Sequence, residues 1–149
     1  MTTRSLPSSE DAPRSDCVFC RIVKGEIPCH KVYEDKEYLG FLDITPRNPG
    51  HSLIVTKRHY RWVDDAPQFG SYFEAAKRVG LALKSAMGAL SISYLTLGNE
   101  VPHAHIWVVP RYRDDGHGGV IDWKLVKQIP PEEMKRIASL LSKGINTSV

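Results

Sequence analysis

The stretch ISYLTLGNEVPHAHIWVVPR, residues 92–111, decides how this chain folds. It contains two apolar runs, at 92–97 and 103–110, separated by a glycine- and proline-containing segment at 98–102. Runs rich in β-branched and aromatic residues form strands, and glycine and proline favour the turn between them. We therefore predict two antiparallel strands joined as a β-hairpin.

The second of these strands is predicted to begin with two histidines, His103 and His105. Because side chains two residues apart in a strand point to the same face, both imidazoles and Trp107 are predicted to share one face. The alternate positions, which we expect in the core, are Ala104, Ile106 and Val108. The imidazoles would lie about 7 Å apart, so one could act on a substrate while the other positions it or binds a metal. A polar, half-exposed strand face would show the same pattern.

The segments on either side of the hairpin carry further helix and strand patterns. Apolar residues at helical spacing predict one long amphipathic helix at 67–87, and two prolines followed by two glutamates predict the start of a C-terminal helix at 131–143. Shorter patterns predict a helix at 17–24 and strands at 31–34, 38–43 and 52–56. This order lacks the regular βαβ alternation of parallel sheets. The predicted fold class is α+β, an antiparallel sheet of about five strands with its helices mainly on one face.

Length and composition indicate a single globular domain. The chain has 149 residues, of which 42% are apolar and 25% are charged, as in ordinary globular proteins. Residues 1–16 are rich in serine, proline and charge, so we predict a disordered tail there and one domain at 17–149. A net charge of +3 without a basic run argues against a specific nucleic-acid partner. No membrane span or signal peptide is evident, so we expect a cytoplasmic protein without a membrane partner.

Three cysteines, Cys17, Cys20 and Cys29, cannot all pair with one another. In a reducing compartment they would remain thiols or bind a metal as thiolates. Cys17 and Cys20 have the CxxC spacing, which occurs both in redox pairs and in zinc sites. No strand precedes them in a βαβ pattern of the thioredoxin type, and this disfavours the redox interpretation.

Several blocks of the sequence resemble the Hint-like branch of the histidine triad (HIT) superfamily. GNEVPHAHIWVVPR, residues 98–111, resembles the family signature His-φ-His-φ-His-φ-φ, in which φ is apolar. CVFCRIVKGEIP at 17–28 and VYEDKEYLGFLDITPRNPGHSLIVTKRH at 32–59 resemble the family in the same order, so the resemblance extends over about residues 17–113. It implies a HIT-like fold, a homodimer, and hydrolysis at the α-phosphorus of a purine nucleoside phosphoramidate or a dinucleoside polyphosphate.

The resemblance also implies roles for individual residues. His105 falls on the middle histidine, the nucleophile that forms a nucleotidyl-histidine, with His103 beside the phosphate and His51 as an outlying support. Asp43 falls on the carboxylate that accepts hydrogen bonds from the ribose hydroxyls, a role suited to an ionised carboxylate. Asn99 stands where relatives carry a glutamine, and its amide can donate at shorter reach. The nucleotide-binding residues so implied are Phe19, Ile22, Phe41, Asp43, Ile44, Asn99, His103 and His105.

Several prokaryotic relatives hold zinc with a CxxC pair and two histidines. The matching positions here are Cys17, Cys20, His59 and His103. Four such ligands complete a tetrahedral structural site, so the resemblance implies a zinc ion that braces the fold and does not activate water. Cys29 lies outside this set.

Two positions depart from the family pattern. Trp107 stands at the third histidine of the signature, and its indole offers only an N–H donor and cannot shuttle a proton. Glu100 stands where relatives carry serine or threonine, and its carboxylate would repel a phosphate unless it turns away. The alternative function is therefore a nucleotide-binding or scaffolding protein whose catalysis is weak.

Overall fold

The computed structural model describes residues 14–147. The predicted tail at 1–16 therefore lies outside the described residues, except for its last three, which are exposed. No helix within 14–147 is both long and apolar enough to cross a membrane. In chain order the elements are α1 Val18–Val23, β1 Lys31–Glu34, β2 Tyr38–Leu42, β3 Ser52–Thr56, α2 Phe69–Met87, β4 Ser91–Leu95, β5 His105–Arg111 and α3 Pro131–Thr147.

The strands form one antiparallel sheet in the order β1, β2, β3, β5, β4. β4 and β5 are neighbours, as the predicted hairpin requires. In the centre of the sheet, Val55 of β3 lies opposite His105, and Leu53 lies opposite Trp107. The sheet, the long helix α2 and the C-terminal helix α3 confirm the predicted α+β fold class.

The two faces of the sheet are covered differently. α2 and α3 pack against one face, where Ile106 and Val108 of β5 join the larger buried cluster. Ala104 belongs to the same cluster, so the predicted core positions are confirmed. On the other face, Trp107 and Val109 pack with Phe19 of the short helix α1. Because a six-residue helix covers less area than α2 and α3, this second face has room for a cavity.

The strand that carries His105 begins two residues later than predicted. The His103 N–H donates to the Val101 carbonyl at 2.9 Å, and the Ala104 N–H donates to the Tyr60 carbonyl at 2.7 Å. Because the N–H groups of His103 and Ala104 donate to these carbonyls, they do not form the hydrogen bonds of a strand in the sheet. β5 therefore starts at His105. The prediction that both imidazoles belong to one strand is therefore wrong, and His103 is a loop residue.

β1 and β3 have the predicted bounds, and the other elements differ from the prediction by at most four residues. Two glycines fix turns. α2 ends at Met87, as predicted, and Gly88 follows it with a left-handed φ of 72°. Gly50 has a φ of 94°, and a Cβ there would lie 2.5 Å from the Leu83 side chain. Glycine at this position therefore permits the turn that leads into His51 and β3.

Candidate functional site

Four side chains with metal-binding atoms meet beside the start of α1. Cys17 caps this helix and Cys20 lies in its first turn, while His59 follows β3 and His103 precedes β5. Their ligand atoms all lie within 4.8 Å of one another, and all four residues are buried. His103 Nδ1 is 3.3 Å from Cys17 Sγ and 3.5 Å from Cys20 Sγ, and His59 Nδ1 is 3.2 Å from Cys20 Sγ. Two sulfurs and two imidazole nitrogens are a donor set typical of structural zinc sites, so this cluster could hold a metal ion.

The backbone of β3 orients His103 for this cluster. Nε2 of His103 donates to the Thr56 carbonyl at 2.7 Å, which leaves the Nδ1 lone pair directed at the two sulfurs. Burial lowers the pKa of His103 to about 4, although the bond to Thr56 opposes the shift, so the ring is neutral near pH 7. Burial also raises the pKa of the Cys20 thiol. A bound cation would offset that cost by stabilising the thiolate.

His105, the first residue of β5, is held in one tautomer. Its Nδ1–H donates to the His103 carbonyl at 2.7 Å, so Nε2 keeps a lone pair. Burial lowers the pKa of His105, and the hydrogen bond to His103 opposes this shift. The ring of Phe19 packs edge-on against it, with the centroids 5.2 Å apart. A neutral imidazole fixed in this way can act as a nucleophile through Nε2.

A carboxylate and a buried histidine meet where β2 ends and β3 begins. Oδ1 of Asp43 accepts hydrogen bonds from the N–H and the hydroxyl of Thr45 at 2.8 and 2.9 Å. Nδ1 of His51 accepts the Arg47 N–H at 3.1 Å, so the proton is on Nε2, which lies 3.6 Å from Asp43 Oδ2. Among the described residues, nothing accepts a hydrogen bond from this Nε2. The buried His51 ring thus lies next to Asp43 without a hydrogen bond to it, and Oδ2 of Asp43 remains an acceptor for a ligand.

Trp107 lies between His51 and Arg47. The His51 and Trp107 ring centroids are 4.7 Å apart, and Cζ of Arg47 lies 4.7 Å from the Trp107 centroid. Arg47 is also fixed by Nε, which donates to the Trp123 carbonyl at 2.8 Å, and by Nη1, which donates to the Thr45 carbonyl at 2.6 Å. Its side chain is only 12% exposed. Trp107, at the third position of the signature, therefore makes a cation–π contact with Arg47.

A cavity of about 650 Å³ opens on this face of the sheet, within the size range of small-molecule sites. One end is mainly apolar and includes side chains of α1 and β2. The other end carries the charged and polar side chains described above. The lining residues include Phe19, Ile22, Phe41, Asp43, Ile44, Arg47, Asn99, Glu100, His105, Trp107 and Trp123.

The segment between β5 and α3 forms one side of this cavity. Asp115 is buried and accepts a hydrogen bond from Asn48 Nδ2 at 2.8 Å. Nε2 of His117 donates to the Arg47 carbonyl at 2.8 Å. These contacts hold the segment against the turn at 45–50, and they bring Trp123 to the cavity.

The structure brings most of the predicted nucleotide-binding residues to one place. Those that line the cavity are Phe19, Ile22, Phe41, Asp43, Ile44, Asn99 and His105. His103 does not line it, because its ring lies in the metal-binding cluster. His51 is fully buried behind Asp43. The four predicted metal ligands come together as described above.

Arg47 and Trp123 also line the cavity but were not predicted from the sequence. A basic residue in the turn between Asp43 and His51 is a signal that could have identified Arg47. Trp123 has no comparable local signal, because it reaches the cavity only through tertiary contacts of its segment, such as the one made by His117.

Comparison with known proteins identifies related sequences. The profile of the HIT domain matches residues 24–114. An uncharacterized HIT-like protein of Methanocaldococcus jannaschii is 37% identical over 124 residues, which cover 79% of this chain and 95% of that protein. The adenosine 5'-monophosphoramidase HNT1 of Saccharomyces cerevisiae is 35% identical over 125 residues, which cover 82% of this chain and 77% of that protein.

Solved structures with the same fold are also found. A Zn-bound histidine triad family protein from Mycobacterium smegmatis superposes with a TM-score of 0.72 at 29% identity, covering 89% of this chain and 94% of that one. A HIT-like protein from Bartonella henselae gives a TM-score of 0.74 at 26% identity, covering 89% of this chain and 99% of that one.

Proposed function

Because the chain belongs to the HIT domain family, we propose that it is a nucleotide hydrolase acting at the α-phosphorus of a purine nucleoside phosphoramidate or a dinucleoside polyphosphate. The observation that carries this proposal is the tautomer of His105, whose Nδ1–H is bound to the His103 carbonyl while its ring lines the cavity. A relative named as an adenosine 5'-monophosphoramidase supports the same reaction class.

The reaction proceeds through a covalent intermediate on His105. Nε2 attacks the α-phosphorus, the leaving group departs, and a nucleotidyl-histidine forms. The ring gains positive charge in this step, and the His103 carbonyl stabilises that charge by accepting the Nδ1–H. Water then attacks phosphorus, releases the nucleoside monophosphate and restores the neutral ring.

The nucleotide lies along the cavity with its base at the apolar end. Asp43 accepts hydrogen bonds from the ribose hydroxyls through Oδ2, while Thr45 holds the carboxylate in place through Oδ1 and the buried ring of His51 supports it from 3.6 Å. The amide of Asn99 donates to the phosphate. The residues that surround the base are Phe19, Ile22, Phe41 and Ile44.

We further propose that Cys17, Cys20, His59 and His103 hold zinc. The donor set, the burial of all four residues and the Zn-bound relative from Mycobacterium smegmatis support this assignment. Zinc would supply a fixed tetrahedral junction between α1 and the segments next to β3 and β5, since four protein ligands complete its coordination. A reducing compartment such as the cytoplasm keeps Cys17 and Cys20 available as ligands.

Turnover by the purified full-length protein tests the mechanism. His105→Asn should lower kcat/KM for adenosine phosphoramidate and diadenosine tetraphosphate by roughly a thousandfold or more, because it removes the nucleophile. Wild-type protein denatured at alkaline pH, where the P–N bond is stable, should carry the labelled nucleotide, and His105→Asn should not. His30→Asn is the matched control, since His30 lies outside the cavity lining.

Two results would change the conclusion. Turnover that persists in His105→Asn would contradict the proposed intermediate. Nucleotide binding by the wild-type protein with negligible turnover would identify it instead as a binding protein. Trp107 favours that function, because its indole N–H can donate a hydrogen bond but cannot shuttle a proton.

A further inference from the structure

Arg47 is built into the cavity and is not an ordinary surface arginine. Its guanidinium lies on the face of Trp107, with Cζ 4.7 Å from the ring centroid, and it donates to the carbonyls of Thr45 and Trp123. Its backbone N–H and carbonyl are bonded to His51 and His117, respectively. A long side chain fixed at this many points loses little entropy when it binds a ligand, so Arg47 is preorganised.

The charges around Arg47 leave a cation at the polar end of the cavity. Asp43 lies 3.9 Å away and offsets part of this charge, so Arg47 acts on a ligand anion at short range, through the donors of its guanidinium. His51 is neutral, since burial lowers its pKa to about 4. Glu100 also lines the cavity, but its side chain is exposed, and solvent screens its charge more than that of Arg47. The charge of Arg61 also lowers the pKa of His105, but Arg61 does not line the cavity. Among the residues that line the cavity, Arg47 is the arginine that a ligand anion can contact.

The leaving group of the reaction places different demands on this end of the site. An amine can leave phosphorus only if it gains a proton as the P–N bond breaks, so a phosphoramidate needs a proton donor. A phosphate or a sulfate leaves as an anion and needs a cation instead. Trp107 cannot protonate an amine leaving group. Arg47, which stacks on Trp107, supplies the positive charge that an anionic leaving group needs.

We propose that Arg47, held on Trp107, makes this site selective for nucleotides whose α-phosphorus carries an anionic leaving group, phosphate or sulfate, over those that carry an amine. The inference rests on the proposed function and chooses between its two substrate classes. His105 Nε2 forms the bond to phosphorus as the P–O bond breaks, and the electron pair leaves with the phosphate or sulfate anion. The oxygen of water then forms a new P–O bond as the N–P bond breaks, the electron pair returns to Nε2, and the proton of water passes to solvent.

The test compares three substrates: adenosine 5'-phosphosulfate, diadenosine tetraphosphate and adenosine phosphoramidate. The wild-type protein should have a higher kcat/KM for the first two than for the phosphoramidate. Arg47→Gln should lower kcat/KM for both anionic classes by roughly tenfold to a hundredfold, the effect of one charge-assisted hydrogen bond, and should change the phosphoramidate value much less. Arg47→Lys keeps the charge and should restore part of the loss. The matched control is Arg136→Gln, which removes an exposed arginine on α3.

A second readout does not depend on turnover. Arg47→Gln should weaken the binding of ADP, measured by calorimetry in the His105→Asn background, more than the binding of AMP, which lacks the leaving phosphate. Thermal unfolding of both Arg47 variants checks that they fold. Trp107→His supplies a group that can donate a proton and should raise turnover of the phosphoramidate relative to the phosphosulfate.

The outcomes separate this inference from the proposed function. The proposed selectivity would be overturned if Arg47→Gln lowered kcat/KM equally for all three substrates, or if the wild-type protein preferred the phosphoramidate. The proposed hydrolase function would still stand in either case, provided that turnover depends on His105. If the wild-type protein cleaves none of the three substrates, both proposals fail.

Discussion

The ring of His103 belongs to the metal-binding cluster, whereas its backbone carbonyl accepts the hydrogen bond from His105. One residue therefore connects the two parts of the site. If the backbone of His103 moved together with its ring, the hydrogen bond from His105 Nδ1 to the His103 carbonyl would change. This bond fixes the tautomer of His105. His103→Ala would remove one of the four proposed metal ligands but keep the backbone carbonyl at position 103. Because the His103 ring does not line the cavity, a loss of activity in this variant would show that the cluster affects His105 and not that His103 contacts the phosphate.

Burial of His51 makes the stability of the protein depend on pH. The pKa of His51 is about 4 against an ordinary value of 6.5, chiefly because the ring is buried. Between these values the unfolded chain binds a proton that the folded protein does not, so the free energy of unfolding falls as the pH falls. The shift corresponds to roughly 3 kcal/mol that is present above pH 6.5 and lost progressively toward pH 4.

His51→Gln removes this titration, which makes the effect measurable. Urea unfolding at several values between about pH 7.5 and pH 4.5 should show that the pH dependence of wild-type stability is steeper than that of the variant. The NMR signals of His51 in the folded protein should not titrate near its ordinary pKa. Parallel pH profiles for the two proteins would contradict this interpretation of the buried ring.

At the scale of elements, the short helix α1 depends on the cluster at its N-terminus. It has six residues, too few for a helix to be stable by itself in water. Cys17 and Cys20 attach it to His59 and His103, and Phe19 lies between these ligands and the cavity. The metal-binding cluster should therefore determine whether the wall of the cavity is in place.

Removal of the metal should accordingly lower both stability and nucleotide affinity. A metal present at a hundred times its Kd stabilises the folded state by about 2.7 kcal/mol, or about 5–10 °C in Tm for a domain of this size. Chelation and Cys20→Ser should each produce a decrease of this order and weaken the binding of AMP. Elemental analysis should find about one zinc per chain in the wild-type protein and in Cys29→Ser, since Cys29 lies outside the cluster. An unchanged Tm after complete loss of metal would refute the bracing role.

The elements differ in how far the sequence could predict them. The β4–β5 hairpin and α2 could be predicted because their apolar spacing is local, and Gly88 marks the end of α2. The start of β5 could not, since it depends on the hydrogen bond between Ala104 and Tyr60, which are distant in sequence. The stacking of Arg47 on Trp107 depends on tertiary contact in the same way.

For the whole molecule, the sheet leaves β4 as an edge strand. An unpaired edge offers backbone N–H and C=O groups to another strand. Beside it, Tyr94 lies against Gly80 of α2, where a Cβ would clash with the tyrosine hydroxyl. Leu81, the next residue of α2, is 53% exposed, and Leu90, just before β4, is 66% exposed. The predicted homodimer would cover this apolar surface by pairing two β4 strands across a twofold axis.

Leu81→Glu tests this assembly in solution. A charge placed in an apolar interface loses its solvation, so the variant should dissociate to monomers at concentrations at which the wild-type protein sediments as a dimer. Phe69→Glu is the matched control, because Phe69 is 49% exposed and lies on the same helix, about 18 Å along its axis from Leu81. Sedimentation velocity measures both. A wild-type monomer, or equal dissociation in the two variants, would show that the β4 edge is not the dimer interface.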